Sequence, residues 1–433
     1  MKISKLDTGI GAVQWFIFLL ANCLTIPIIV GQVFQLSPED ISGLMQRTFF
    51  IVGLSSLLSG YFGHRLPISD GPAGIWLAVF TLMGQVAMIN GITNLSNSLQ
   101  LLEGAMILAG IILLVVSITG WMEKLLSYFT PLVNGVYLTI LGFQLCGIFL
   151  EGMFDVKPTS ISIEMGVVLL SFSTFLLVLY LGVWGKGWLK SYAVLIGIVI
   201  GSIFFVIFYG SHPFPKKDAI FSLPEVFAWG TPKIDGSMIV SAILVAIVLI
   251  LSIIASIAAM KHVLSMQSAN GTRKEGTLKS SGLISGVNTI LSAVFSVVGV
   301  VPYTVTASFV QLTGQNRMKP YFIASFLLAF IAFFPAIYSF FAMLPGPIAN
   351  GAMLASYTTM AGIGISTVLK EPLDQRRLTI LSISLSLGIG VMFLPEVVIS
   401  AFPGVLQYVI SNGVMVGLLT ALIFEHVWKT SEV

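Results

Sequence analysis

Charge is scarce in this chain. Only 9% of its 433 residues are Asp, Glu, Lys or Arg, whereas a soluble globular domain carries about 25%. Hydrophobic residues make up 56%, and the mean hydropathy is +1.00. The net charge of +3 gives no basic surface for nucleic acid. Cysteine is rare too, since Cys23 and Cys146 are its only two and both lie in apolar segments, which excludes a disulfide framework and a cysteine metal site.

Long runs without any charge take the place of a soluble surface. Residues 166–184, 191–211, 236–260 and 397–424 carry no charge, and each run can cross a hydrocarbon core of about 30 Å as a helix. The sequence therefore predicts an all-α integral membrane protein that crosses the bilayer many times. An enzyme is not expected, because there is no nucleotide-binding loop, metal-ligand cluster or nucleophile–base pair.

The apolar runs divide into about fourteen predicted spans. The third and tenth are unusually short. In chain order the predicted spans are 11–33, 43–62, 71–88, 101–120, 128–149, 162–183, 191–209, 238–260, 281–299, 303–313, 320–343, 346–364, 378–394 and 397–425. The first follows a basic start but continues through Gly31 without a cleavage site, so it is interpreted as a span rather than a signal peptide.

The loop charges predict the orientation. With both termini on the cytoplasmic side of a cell (plasma) membrane, sixteen of the 21 Lys and Arg residues fall in inside loops. This bias agrees with the positive-inside rule. It also supports the span count, because one missed span would invert every later loop.

Internal repetition indicates two related halves. PLVNG at 131–135 is matched by PIANG at 347–351, and each follows a short Pro-containing span, LPISDGPAGIW at 66–76 and VVPYTVTASFV at 300–310. Paired short, Gly/Pro-interrupted spans are typical of transporters built from inverted repeats, with the substrate site at the midplane. The alternative is that small residues merely allow tight helix packing.

Seven spans in each half give the halves opposite topology. We therefore predict a first repeat over residues 1–210, an extracytoplasmic linker over 211–237 and a second, inverted repeat over 238–433. A half-span leaves backbone N–H groups exposed at midplane, where they can bind an anionic or carbonyl-bearing ligand.

Four segments carry a family resemblance. They are QWFIFLLANCLTIP at 14–27, TPLVNGVYLTILGFQLCG at 130–147, ISGVNTILSAVFSVVGVVP at 284–302 and LPGPIANGAMLASYTTMAGIGI at 344–365. In these segments the chain resembles the nucleobase–cation symporter-2 family, also called nucleobase–ascorbate transporters, which includes uracil, xanthine and uric acid permeases. The resemblance runs through nearly the whole chain.

The resemblance implies a secondary active transporter of purine-type nucleobases such as xanthine or uric acid. It further implies coupling to H⁺ or Na⁺, a core and a gate domain formed from both repeats, elevator-type movement, a homodimer and no cofactor or metal centre. The substrate would lie between the interrupted spans 3 and 10, with spans 1 and 8 alongside.

The same register implies the substrate-binding residues. Ser256 and Ser308 stand where the family usually has acids or Gln, Met260 stands at a frequent His or Asp, and Gln14 is kept. The substrate-binding set implied in this way is Gln14, Asn22, Ala73, Gly74, Ser256, Met260, Thr306, Ala307, Ser308 and Phe309. Phe309 is expected either to stack on the base or to pack, whereas Trp15 is expected to pack. Without carboxylates this site would accept an anionic base such as urate.

The sequence offers one candidate for the residue that binds the coupling cation. Asp70 is the candidate, because intramembrane acids are functional suspects by default, with helix capping as the alternative. Glu103 is interpreted as an interfacial charge near a span end. Two other functions stay open: a small-anion carrier of sulfate-permease-like architecture, and a non-transporting binding or sensor paralogue.

Overall fold

The structure is a computed structural model. It describes residues 5–89, 95–126, 128–155, 163–210, 219–266, 276–395, 398–399, 402, 410 and 412–428. Nearly all of the regular structure in this part is helical, with one pair of short strands.

The helices are numbered here in chain order. Helices α1 to α9 span Lys5–Cys23, Thr25–Val33, Pro38–Tyr61, Gly74–Ile89, Ser96–Ile118, Trp121–Leu126, Pro131–Met153, Met165–Trp184 and Trp188–Ser191. Helices α10 to α18 span Ala193–Tyr209, Gly236–Met266, Leu278–Val294, Val305–Thr313, Met318–Ile331, Pro335–Ala342, Gly346–Val368, Gln375–Gly390 and Gly413–Val427. Strand β1 is Asp70–Pro72 and strand β2 is Val300–Pro302.

The helices confirm a multi-pass membrane protein. In the described part of the chain, seven segments are long and apolar enough to cross a bilayer, or eight if α14 and α15 form one bent span. Three shorter apolar helices, α4, α10 and α18, accompany them. The last predicted span, 397–425, lies partly outside the described residues, and its C-terminal part lies in α18.

Proline breaks two of the predicted spans. Residues 11–33 form α1 and α2, separated at Leu24, because Pro27 has no N–H to donate to the Cys23 carbonyl one turn earlier. Residues 320–343 form α14 and α15, which meet at 90° just before Pro335. Asp7–Val33 still forms one span despite its break, whereas the 90° bend before Pro335 was not predicted.

The two short spans each begin with a strand, and the strands pair. β1 and β2 are antiparallel, with Gly71 opposite Val301. The ladder extends one bond beyond each end: the Ala73 N–H donates to Gly299 O at 2.8 Å and the Tyr303 N–H to Ser69 O at 2.8 Å. The interrupted spans 3 and 10 are therefore joined through their backbones.

Alternation along this ladder turns every second residue away from the partner strand. Pro72 and Pro302 occupy such outward positions, where a missing N–H breaks no ladder bond. Other outward groups would be unpaired inside the membrane, which costs several kcal/mol each.

Hydroxyl groups pair four of these outward backbone groups. Ser56 accepts from the Asp70 N–H at 3.0 Å, and Ser292 accepts from the Val300 N–H at 3.4 Å. The Tyr303 hydroxyl donates to Pro72 O at 2.7 Å, and the Ser256 hydroxyl donates to Pro302 O at 2.6 Å. Side chains from α3, α11 and α12 thus hold the strand pair in place.

The helices pack in two groups. In one group α3 packs on α14, α5 on α12 and α11 on α5, with the strand pair among them. In the other group α7 and α8 both pack on α16, and α17 packs on α18. Contacts of α2 with α16 and of α4 with α7 join the two groups, so the start of α4 lies near the boundary between them.

Candidate functional site

The N-terminus of α4 presents free backbone donors. The helix begins at Gly74, directly after the strand pair. The described part of the chain offers no acceptor to the N–H groups of Gly74, Ile75 and Trp76, as expected for the first turn of a helix. In α13 the corresponding N–H groups of Thr306 and Ala307 donate back to Tyr303 O and Thr304 O. The two half-helices therefore differ, and α4 is the better anion or carbonyl binder.

Two tyrosines close around these backbone groups. A Cβ placed on Gly74 would lie 2.9 Å from Oη of Tyr357, which comes from α16 in the other helix group. A Cβ placed on Gly71 would lie 2.5 Å from the ring of Tyr303. Glycine is therefore needed at both positions for these rings to approach the backbone. The Tyr357 hydroxyl adds a donor beside the free N–H groups of α4.

Ser256 lies in α11 against the end of β2. Its side chain is 1% exposed, and its hydroxyl lies 2.6 Å from Pro302 O and 2.7 Å from Ser252 O. Oγ1 of Thr304 lies 3.3 Å away. Because a hydroxyl has one proton, Ser256 supports the strand in this arrangement and donates to backbone. Met260, one turn later on α11, is fully buried.

Helix α13 has an open and a closed face. Thr304 at its start and Ser308 one turn later are exposed, so their hydroxyls are accessible to a ligand. Thr306 and Ala307 are buried, and the Thr306 hydroxyl lies 2.8 Å from that of Ser69. Thr306 thus links the two interrupted spans, whereas Thr304 and Ser308 present exposed hydroxyls, that of Thr304 lying 3.3 Å from Ser256 Oγ.

Aromatic packing fixes the contact between α1 and α13. Phe309 is 1% exposed, stacks on Phe18 at a centroid distance of 4.4 Å and meets Trp15 edge-on at 4.8 Å. Phe309 therefore packs against α1, and its stacking on a base stays a prediction. Trp15 is fully buried, as expected for a packing residue, and donates from Nε1 to Gln315 O.

The two polar residues of α1 differ in their environment. The Asn22 side chain donates to Phe18 O in its own helix at 2.7 Å. Oε1 of Gln14 is buried without a partner among the described residues. Gln14 therefore keeps an acceptor available, whereas one donor of Asn22 is already used.

Asp70 lies behind the strand pair. It is 2% exposed, and its Oδ2 accepts from Nδ2 of Asn288 on α12 at 3.3 Å. Helix α4 begins four residues later at Gly74, so the capping interpretation of Asp70 is wrong. No acceptor role toward α4 is seen, because Oδ1 has no partner in the described part of the chain.

Glu103 is a second buried acid and not an interfacial charge. Its side chain is 0% exposed on α5, and the Ser296 hydroxyl donates to Oε1. Ser296 adopts φ +50° just before β2 and also accepts from the Trp229 N–H at 3.4 Å. Length alone placed Glu103 near a span end, but residues 219–235 of the linker fold over that end and cover it.

Three residues of the site region were missed by the sequence interpretation. Tyr357, Ser56 and Ser292 have no distinguishing spacing, since each is a polar residue in an otherwise apolar helix. The interrupted spans themselves could have pointed to these residues. A short strand inside a membrane requires hydroxyl donors or acceptors from neighbouring helices, so polar residues in those helices were candidates.

A large open cavity lies elsewhere and does not belong to this site. It has a volume of about 510 Å³ between α7, α8 and α16, and its lining is mainly apolar, including Phe143, Phe172 and Ile365. Few polar groups point into it, so it lacks the means to orient a polar ligand.

Comparisons with known proteins show the family of this chain. Residues 7–397 match the Xan_ur_permease model, which is described as "Permease family". The chain belongs to this permease family. It is therefore a transporter and not an enzyme.

Two bacterial relatives match along nearly their whole length. A xanthine permease of Bacillus subtilis (strain 168) is 26% identical over 424 residues, covering 96% of this chain and 92% of the relative. The uric acid permease PucK of the same organism is 25% identical over 426 residues, covering 97% and 95%.

A solved structure supports the fold. The transmembrane domain of a cyanobacterium bicarbonate transporter, BicA, matches with a TM-score of 0.63 and 14% identity, covering 97% of this chain and 98% of that domain. At this identity the likeness shows the fold alone.

Proposed function

We propose that this protein carries purine-type nucleobases, such as xanthine or uric acid, across the plasma membrane by cation-coupled secondary transport. The proposal is supported by membership of the permease family and by relatives named as xanthine and uric acid permeases. The coupling cation is H⁺ or Na⁺, with Asp70 as its candidate group.

One structural observation supports a carbonyl-rich or anionic base as the substrate. Around the start of α4 the available groups are donors: the N–H groups of Gly74, Ile75 and Trp76 and the hydroxyl of Tyr357. Thr304 and Ser308 add hydroxyls on the open face of α13. Donors and the positive end of a helix favour carbonyl oxygens and negative charge. Xanthine and urate carry several carbonyl oxygens, and urate is anionic near neutral pH.

The other sequence-predicted residues complete the proposed site. Ala73 and Ser256 hold the strand pair, whose ends carry Gly74 and Thr304. Gln14 offers an acceptor for a ring N–H, and Asn22 lies about two turns further along α1. Met260, Thr306, Ala307 and Phe309 form the packed wall behind these polar groups.

The transport movement follows from the two helix groups. We propose that the group containing the strand pair is the core domain and that the group around α16 is the gate domain. The full architecture would be fourteen spans in a 7+7 inverted repeat, with both termini cytoplasmic and a homodimer formed through the gate. Because Tyr357 belongs to the gate group and Gly74 to the core group, elevator-type displacement of the core would separate them.

Uptake into proteoliposomes tests this proposal. Radiolabelled uracil, xanthine, hypoxanthine and urate are offered at pH 5.5 and 7.5, with and without a sodium gradient. We expect xanthine or urate to accumulate against its gradient. Accumulation of none of these bases, together with uptake of bicarbonate or sulfate, would establish the small-anion alternative instead. Binding without counterflow would establish the sensor alternative.

A glycine pair provides the site control. In Gly74→Ala the new methyl group on α4 lies 2.9 Å from Tyr357 Oη. In Gly362→Ala, on the same helix as Tyr357, the methyl group meets nothing within 4 Å. We expect uptake to fall at least tenfold in Gly74→Ala and to stay unchanged in Gly362→Ala. Equal uptake by both variants would show that the substrate does not bind at the start of α4.

A further inference from the structure

Asp70 lies in a buried cluster of oxygen atoms contributed by three elements. Nδ2 of Asn288 on α12 lies 3.3 Å from Asp70 Oδ2, 3.0 Å from Ser59 Oγ and 3.3 Å from Ser55 O. Ser55 and Ser59 are one turn apart on α3. The four residues are at most 2% exposed, so water does not satisfy their polar groups.

The donors of this cluster do not reach all of its oxygen atoms. The Asn288 NH₂ has two hydrogens and each serine hydroxyl has one, and the Ser59 hydroxyl bonds to the Asp70 carboxyl. Asp70 Oδ1, Asn288 Oδ1 and Ser55 Oγ have no partner at all in the described part of the chain. Buried polar atoms without partners cost about 1–3 kcal/mol each, and three in one cluster are not expected in a purely structural network.

The cluster also has no positive charge. No Lys, Arg or His pairs with Asp70 among the described residues. The titratable groups that face it are Tyr303 and Tyr321, and the Tyr321 hydroxyl lies 2.7 Å from both Ile68 O and Ser56 O. Neither tyrosine can neutralise a carboxylate, so the cluster carries one uncompensated negative charge when Asp70 is ionised.

We infer that Asp70, Asn288, Ser55 and Ser59 form a binding site for one sodium ion. One carboxylate with neutral amide, hydroxyl and carbonyl oxygens is the ligand set that hard cations prefer. A single proton would satisfy one acceptor and leave the others unpaired. The site rests on the proposed function only for its role, which is to bind the coupling cation; binding itself needs no nucleobase.

The position of this site explains how it would act on the substrate. Asp70 is the first residue of β1, and its own N–H is bonded to Ser56. A sodium ion bound there would tie α3 and α12 to the strand that leads directly to Gly74. Sodium and the nucleobase would thus occupy opposite sides of one strand pair.

Thermal unfolding of the purified protein without nucleobase tests the inference. NaCl is titrated against KCl and choline chloride at constant ionic strength. We expect a saturable, sodium-specific rise in Tm of about 2 °C at ten times the dissociation constant. Binding of ²²Na⁺ to the same preparation should saturate at one ion per chain.

Variants locate the ion. Asp70→Asn should lose the sodium-dependent rise, and Ser55→Ala should require more sodium for half of it. Glu103→Gln is the matched control, because Glu103 is an equally buried acid bonded to a serine hydroxyl; it should keep the wild-type response. If Asp70→Asn fails to fold, Ser55→Ala and ²²Na⁺ binding to the wild type decide the matter.

The outcomes separate the site from the proposed function. An equal effect of all three salts, or a response to pH alone, would overturn the sodium site even if xanthine or urate is transported. Sodium binding without transport of any base would leave the site standing and refute the proposed function.

Discussion

Replacing Ser256 by alanine distinguishes a supporting hydroxyl from a ligand-binding one. The Ser256 hydroxyl donates to Pro302 O at 2.6 Å, and this carbonyl points away from β1 because Pro302 is at an outward position of the ladder. In Ser256→Ala the carbonyl loses this donor in a place that water does not reach.

The expected cost follows from the lost bond. A buried acceptor left unpaired costs about 1–3 kcal/mol, which lowers Tm by roughly 1–3 °C in a chain of this size. Ser171→Ala is the matched control: Ser171 is fully buried in α8, but its hydroxyl bonds only to Val167 O in its own helix. That carbonyl keeps its helical partner, so the control should change Tm by less than about 1 °C.

The assay combines stability with ligand binding. Tm is measured in detergent for the wild type and both variants, and xanthine and urate affinities are measured by competition. We expect Ser256→Ala to lose stability and to lose less than about tenfold in affinity. An unchanged Tm together with a much larger loss of affinity would show that the hydroxyl faces the ligand and would refute its supporting role.

Three further changes test other parts of the structure. Tyr357→Phe should keep its ring contact with Phe149 and its Tm but lose about five- to tenfold in base affinity, measured by competition, because one hydrogen bond is lost. Ser296→Ala should lower the free energy of unfolding by about 2 kcal/mol in denaturant titrations, because it leaves the buried Glu103 carboxyl without its donor; no change would mean that Glu103 is solvated. Burial lowers the pKa of His64 to about 3, against about 6.5 in an unfolded chain. Between pH 3 and pH 6.5 His64 is therefore protonated in the unfolded state but neutral in the folded state, and stability is lost as pH falls below about 6.5. Lowering the pH from 7.5 to 5.5 should reduce the free energy of unfolding by about 1.4 kcal/mol through His64. His64→Gln should remove that share of the pH dependence of Tm.

Periodicity and composition predicted the membrane class and the two interrupted spans. Both spans were located by the same signal, a proline next to small residues in an apolar run, and both proved to begin with a strand. Proline at an outward ladder position is compatible with a strand, so the signal had a local physical cause. The fourteen-span count and the repeat boundaries remain predictions.

The roles of individual polar residues could not be predicted in the same way. Ser256 contacts Pro302, 46 residues away, and Glu103 contacts Ser296, 193 residues away. Such contacts depend on how helices pack and leave no local pattern. Asp70 preceded Gly71-Pro72 and therefore resembled a helix cap, but the strand that separates it from α4 redirects it toward Asn288.

The antiparallel strand pair also bears on how the protein is made. Tyr303 and its partner Pro72 are 231 residues apart, so β1 reaches the membrane long before β2 has been synthesised. Until then the inward backbone groups of β1 have no strand partner, and Pro72 O lacks the Tyr303 hydroxyl. The first half of the chain must therefore wait in the bilayer with an unpaired strand, which an insertion chaperone or a water-filled vestibule would have to protect. Truncation after the first repeat should consequently yield a protein that is inserted but rapidly degraded, even though its apolar helices are intact.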